Sequence, residues 1–449
     1  MSNIFVRAGL QGEHYKYADP VVSCLLAMVI NCMIGHAYIP DAAMDTIIVP
    51  IVKDKKGLLT NKDNYRPVAI TTVFSKILES AILNRYRQNL ESLPNQFGFK
   101  HGCGTDMSIF VLKQVIEFYH SLSSPVYVAY LDASKAFDKL NHWSLFRKLL
   151  DRGLPKTIVR LFLFWYMQQR FCVRWGKVYS IWFHTSNGVR QGGIISPILF
   201  NVYMDDLSAD LNAAKVGCQV NGVFINNLMY ADDSCLLAPS ISALQRLLNI
   251  CMRYAKENNI VYNKTKTNCM CYKPKKLRNL HVPAVYLSGS RLKFVGKVKY
   301  LGVIIDQELS DNDDLLRHRK FLYGKGNTLI RHFRMCSEAV KDRLFFAYCN
   351  NVYGGHLWTK YHDRTLKSVC TAFNDIYRIM HNMRRDTSMS HVYVTRNIDS
   401  FKVLIRKAAY VFRERILKSN NNLVISICTS WHFYNHSSFT QLWNKTLFV

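Results

Sequence analysis

The stretch Leu228-Met229-Tyr230-Ala231-Asp232-Asp233-Ser234-Cys235-Leu236-Leu237 decides how this chain is read. Two adjacent carboxylates stand between two short apolar runs, a pattern that predicts a β-hairpin bent at the acids. Neighbouring residues on an extended strand point to opposite faces, so both acids turn toward one place only at a bend. Like charges held that close repel, and a divalent cation between them is the cheapest way to keep both ionised. Two hard cations about 3.5–4 Å apart need a third carboxylate from elsewhere in the chain. Asp132 supplies a candidate. It ends Val126-Tyr127-Val128-Ala129-Tyr130-Leu131, an unbroken apolar run of the kind a strand buried on both faces shows.

Between these acids lies Gly188-Val189-Arg190-Gln191-Gly192-Gly193-Ile194-Ile195-Ser196-Pro197. A strand ending in Asp132, then this glycine-rich turn, then Tyr-Ala-Asp-Asp, in that order, resembles the reverse transcriptases of LINE-type (non-LTR) retrotransposons. The resemblance implies an α+β right-hand polymerase with fingers, a palm of antiparallel sheet backed by helices, and a helical thumb. On that pattern residues 1–120 are N-terminal helices and fingers, and 121–307 the palm with inserted finger elements. Residues 308–395 are then the thumb, and 396–449 a basic helical extension. The implied activity is RNA-directed DNA synthesis: two-metal transfer of dNTPs onto a primer 3′-OH along an RNA template. Asp132 and Asp232 would bridge two Mg2+ ions, Mn2+ being the substitute, with Asp233 steadying the pair from the hairpin. The alternative is a catalytically inactive, truncated retroelement remnant that only binds RNA or hybrid duplex.

Other residues take roles from the same resemblance. Lys53 follows the apolar run Ile47–Val52, and Arg66 sits in Asn64-Tyr65-Arg66-Pro67; both are candidates for gripping the incoming triphosphate. The proline restricts Arg66 to an extended backbone, a fixed launch point for its guanidinium. Phe137, five residues past Asp132, stands where the family places a bulky ring under the incoming sugar. A phenyl ring there leaves no room for a ribose 2′-OH. Gln191 and Gly192 are expected against the templating pair and incoming nucleotide. Lys266, in Asn263-Lys264-Thr265-Lys266-Thr267, is the candidate general acid toward departing pyrophosphate. Tyr300-Leu301-Gly302 resembles the segment that holds the primer's 3′ end.

A second Tyr-x-Asp-Asp, Tyr203-Met204-Asp205-Asp206, competes with the first as a string. It falls in a helix opened by Ser196-Pro197, where adjacent side chains diverge by about 100° and do not face one site. Asp205 and Asp206 are therefore expected at a solvated helix end. Asp19-Pro20 opens another helix closed near Gly35, whose apolar residues at helical spacing place it in the core.

Lys and Arg total 59 against 31 Asp and Glu, a net charge of +28. The excess is +17 before Glu308 and +11 from there on, so the chain is basic throughout, which suits a long polyanion. The expected partners are an RNA template, a DNA primer and dNTPs, and no membrane. Thirteen cysteines without a CxxC pair, and no secretory leader in the first twenty residues, read as the reduced thiols of an intracellular protein; the nucleus as the site of action is what the resemblance implies. Cys269-Met270-Cys271 reads as core strand. Cys428, His432 and His436 lack a fourth ligand, and zinc is not expected. LINE-type elements carry a nicking endonuclease; here it is expected from another chain or a missing N-terminal region.

Overall fold

The computed structural model describes residues 12–134, 136–277 and 279–447, which mix helices and sheets in one α+β chain. The chain forms two compact units. The first runs up to Phe99 and includes Asp132–Ala213 and Ile250–Asn263; the second comprises Lys100–Leu131, Ala214–Asn249 and everything from Lys264.

In the first unit, strands Tyr65–Ile70, Thr46–Val52, Phe171–Trp175 and Val178–Tyr179 lie in that order in one sheet. The β-branched run Thr46-Ile47-Ile48-Val49 favours extended backbone, and the first pair is antiparallel, with Ile51 opposite Arg66. Helix Val73–Arg85 starts where the Thr72 side chain accepts from Ser75 N, and it buries Ser75, Leu78, Glu79 and Ile82 on one face. Helices His142–Asp151 and Lys156–Gln168 are separated at Gly153, whose φ of +73° suits a residue without Cβ. Helix Ser196–Ala213 buries Leu199, Tyr203, Leu207 and Leu211, the stripe its spacing predicts.

Helix Pro20–His36 has its expected start, Asp19 accepting from Val21 N with proline in the first turn. Its expected burial is corrected. Only Ile30 and Met33 are buried, whereas Leu25 is 55% and Met28 68% exposed. The helix is apolar nearly all round, so its sequence does not define which edge is covered.

The second unit is built on a five-stranded sheet in the order Lys293–Phe294, Asn268–Tyr272, Val126–Asp132, Asp233–Ala238, Asn227–Tyr230. The central strand is buried from Val126 to Leu131 and half-buried at Asp132, as its unbroken apolar run predicts. Cys269, Met270 and Cys271 are buried in the neighbouring strand, so they are core. Helix Thr105–Ser121 is buried at every position from Met107 to Glu117. Its cover comes from the end of the chain: Phe110 meets Phe412, Phe433 and Phe439 edge-on at 5.8, 5.9 and 5.0 Å. These rings belong to helices Phe401–Leu417, Trp431–His436 and Ser438–Leu447. Helices Asn312–Phe333, Glu338–Cys349 and Asp363–Met380 enclose a separate core around Leu322, Phe345, Phe373 and Tyr377. Among the described residues no helix is long and apolar enough to cross a membrane.

Candidate active site

The acidic stretch folds as its sequence predicts. Strands Asn227–Tyr230 and Asp233–Ala238 pair antiparallel, with Tyr230 opposite Asp233, leaving Ala231 and Asp232 as a two-residue turn. Ala231 has φ of +56°, a conformation that costs a non-glycine residue about 1 kcal/mol and is held by the hairpin around it. Asp232 thus stands at the tip and Asp233 opens the return strand, both half-buried. In the sheet the return strand neighbours the strand that ends in Asp132. The backbone oxygen of Asp132 accepts from Asn263 N at 2.8 Å, which fixes the strand end.

Hard carboxylate oxygens on paired strands suit a hard divalent cation as donors. Among the described residues, however, no three His, Cys, Asp or Glu side chains stand together as a ready-made metal site. The sheet order sets the two strands side by side, Asp132 being the first residue of a segment of the first unit and Asp232 and Asp233 belonging to the second.

Tyr300, Leu301 and Gly302 lie at another hairpin, Lys297–Tyr300 against Val303–Asp306. Leu301 and Gly302 form its turn, both with positive φ, +46° and +86°. Burial holds the Tyr300 phenol well above its usual pKa, so it stays protonated. Its ring lies 5.2 Å from that of Tyr130, and its hydroxyl 3.1 Å from that of Ser108. Lys266 is exposed in the turn before strand Asn268–Tyr272, its carbonyl accepting from Asn268 Nδ2.

The first unit holds the remaining candidates. Arg66 is exposed on its strand, and Lys53 donates to the Asp63 carbonyl at 3.0 Å. Phe137 lies in the short helix Ala136–Lys139, stacked on Phe200 at 4.2 Å and edge-on to Phe99 at 6.4 Å. The ring is half-buried and braced on two sides, so it is a rigid obstacle wherever its free edge points. Gln191 donates from Nε2 to Asp138 at 2.9 Å, and its carbonyl accepts from Ala69 N at 2.6 Å. Gly192 has φ of +128°, and a Cβ on it would stand 2.5 Å from the Ala69 oxygen. Its smallness is already required by strand Tyr65–Ile70, apart from anything a substrate asks.

Sequence reading missed what holds this turn. Arg190 is buried and paired with Glu79, which is wholly buried on helix Val73–Arg85. The other Glu79 oxygen accepts from Ile194 N at 2.5 Å. Arg190 also donates to Ser75 at 3.2 Å and lies 4.4 Å from the Trp165 ring centre. The available signal was a glutamate on the buried face of its helix, four residues from Ser75 and three from Ile82.

The second Tyr-x-Asp-Asp also needs correction. Asp206 is half-exposed, but Asp205 is buried, 7% exposed, in the middle of its helix. It pairs with Arg152 and accepts from Leu93 N at 2.7 Å. Burial raises its pKa against those contacts. Helical periodicity correctly kept these acids apart from a shared site, but it did not show that a partner helix covers one of them.

Residues 52–305 match the family model described as reverse transcriptase (RNA-dependent DNA polymerase), which is more than half of the chain. The chain belongs to that family. The family carries the α+β right-hand polymerase class, works with divalent metal ions and takes nucleic acid as partner. The chain is similar to the Pol polyprotein of the type-2 retrotransposable element R2DM of Drosophila melanogaster, 28% identical over 305 residues, 66% of this chain and 28% of that protein. It is similar to the RNA-directed DNA polymerase of the mobile element jockey of Drosophila funebris, 30% identical over 298 residues, 64% and 31% of the two chains. A probable RNA-directed DNA polymerase from the X-element of Drosophila melanogaster is 24% identical over 368 residues, 79% and 39%. The resemblance to non-LTR retrotransposon polymerases therefore stands. The chain spans about a third of the length of these relatives. Among solved structures, apo telomerase from Candida tropicalis is similar at 11% identity and a TM-score of 0.47, over 95% of this chain and 72% of that one.

Proposed function

We propose that this chain is an RNA-directed DNA polymerase of a non-LTR retrotransposon, adding dNTPs to a primer 3′-OH along an RNA template. The observation that carries the reading is the family match over residues 52–305, which contains the acidic hairpin and the strand ending in Asp132. Asp132, Asp232 and Asp233 hold the divalent ions, two Mg2+ with Mn2+ as substitute. Ions held there would supply a lowered pKa at the primer hydroxyl and neutralisation of the triphosphate charge. Lys53 and Arg66 bind phosphate oxygens, and Lys266 gives a proton to the leaving pyrophosphate. Phe137 excludes the ribose 2′-OH, Gln191 and Gly192 border the nascent pair, and Tyr300-Leu301-Gly302 seat the primer end.

Fingers over 1–120, palm over 121–307, thumb over 308–395 and the extension over 396–449 are the lobes this reading assigns. A net charge of +28 supports binding of RNA and hybrid duplex by phosphate contacts. A nicking endonuclease acts from another chain or another part of a longer protein, and the site of action is the nucleus.

Extension of oligo(dT) on poly(rA) tests the proposal. Asp132→Ala is expected to abolish incorporation while hybrid affinity stays within about twofold, because one acid on a polycationic surface adds little to phosphate binding. Incorporation by Asp132→Ala at the wild-type rate refutes the assignment. A wild-type chain that binds hybrid but incorporates nothing supports the inactive-remnant alternative.

A further inference from the structure

We propose that Tyr353 is a positioning residue that locks the Leu301-Gly302 turn in the shape needed to seat the primer end. The inference rests on the polymerase reading and adds to it a residue outside the motifs that suggested it.

The Tyr353 hydroxyl donates to the Leu301 carbonyl at 2.7 Å. It also lies 3.0 Å from the Thr105 hydroxyl, whose hydrogen remains to donate back. Thr105 is the first residue of helix Thr105–Ser121, so the phenol ties the turn to the start of a helix buried from Met107 to Glu117. The ring covers the second turn residue: a Cβ on Gly302 would stand 2.9 Å from Tyr353 Cε1. The next residue continues the contact. Gly354, at φ of +79°, lies so near Val303 that a Cβ would approach Val303 Cγ2 to 2.9 Å.

The strand beyond the turn is held from the same direction. Asp314, wholly buried, accepts from Ile304 N at 3.0 Å and from Trp358 Nε1 at 2.8 Å. Three consecutive hairpin positions after Tyr300 are thus fixed by side chain or backbone of residues 353–354, and the fourth by Asp314. Both turn residues are left-handed, and for leucine that conformation has an intrinsic cost. A carbonyl hydrogen bond at Leu301 is where such a turn most needs outside support. Yet Tyr353 itself is 43% exposed, so it is not a core residue that ordinary packing would demand.

The test compares wild type, Tyr353→Phe and Tyr353→Ala in oligo(dT) extension on poly(rA), with the melting temperature of each. Tyr353→Phe keeps the ring on Gly302 and removes the bond to Leu301. It is expected to raise the KM for primer–template up to about fivefold, the net worth of one hydrogen bond, with dNTP KM unchanged and the melting temperature lowered by no more than about 4 °C. Tyr353→Ala is expected to raise that KM further. A Tyr353→Phe enzyme with wild-type primer–template KM overturns the inference, as does a loss spread equally over all parameters with a larger fall in melting temperature. In either case the polymerase reading survives if wild type extends the primer. A wild type that extends nothing overturns both.

Discussion

Glu79→Gln isolates the support beneath the glycine-rich turn. The substitution keeps the shape of the side chain and removes its charge, leaving the Arg190 guanidinium, 3% exposed, without its counter-ion. Breaking a buried pair from one side costs about 3–5 kcal/mol, because the remaining charge stays in a low-dielectric setting. Here Arg190 keeps its bond to Ser75 and the Trp165 face, so the lower end, about 3 kcal/mol, is expected. For a unit of this size that is a fall in melting temperature of about 6–12 °C. Gln191 and Gly192 follow Arg190 directly, so dNTP KM should rise while primer–template KM holds. Glu79→Leu with Arg190→Met replaces the pair by apolar residues of similar size and should recover most of the stability. Scanning calorimetry and steady-state extension measure both effects. A Glu79→Gln protein melting within about 1 °C of wild type would refute the reasoning, as would a double variant less stable than the single one.

Two further outcomes follow from named contacts. Phe137→Val removes the braced ring and should raise the ribonucleotide-to-deoxynucleotide ratio of kcat/KM at least about tenfold, measured by single-nucleotide incorporation; an unchanged ratio removes the gate role. Asp106 gives a pH dependence: burial raises its pKa, but hydrogen bonds from His356 and Arg415 outweigh burial and hold it at about 2. Because the folded value is depressed, the contribution is fully present above about pH 4 and is lost as pH falls from there to about 2; it amounts to about 2 kcal/mol. Acid unfolding of Asp106→Asn should lack this component, and a superimposable pH profile would contradict the assignment.

What was legible in the sequence is what local pattern determines. The acidic hairpin could be read because its turn sits between two apolar runs, and Val126–Leu131 because an unbroken run fits only a doubly covered strand. Helix His142–Asp151 is punctuated by residue types that mark helix ends, Asn141 at its start and Gly153 just past its close. Partner choice was not legible. Glu79 and Arg190 are far apart in sequence, and a glutamate on a buried helix face does not say which cation it pairs with. The cover of Thr105–Ser121 by rings from Phe412, Phe433 and Phe439 depends on the chain's return after some three hundred residues. Through that return helices Phe401–Leu417, Trp431–His436 and Ser438–Leu447 cover the core of the second unit, a structural role that the basic composition of the segment does not announce. The strand order that sets Asp233 beside the Asp132 strand is likewise a long-range choice, inferred from resemblance and not from periodicity.

The two Tyr-x-Asp-Asp strings show where chemical meaning enters. In Tyr203-Met204-Asp205-Asp206 each carboxylate already has a cation of its own chain, Arg152 for Asp205 and Lys148 for Asp206. Tyr203 is bound through its hydroxyl to the Asn258 carbonyl at 2.7 Å. A metal ion arriving there would have to displace two salt bridges, one of them largely buried, and would find the carboxylates pointing about 100° apart. In Tyr230-Ala231-Asp232-Asp233 the same letters fall on a tight turn, and backbone pairing across the hairpin sets where the half-buried acids stand. A carboxylate that is to exchange ligands is best positioned by its own backbone, and a strained hairpin does that where a helix cannot. How the two acids are presented is thus set by the element that carries them, a helix in one case and a hairpin turn in the other, and the tetrapeptide alone does not contain it.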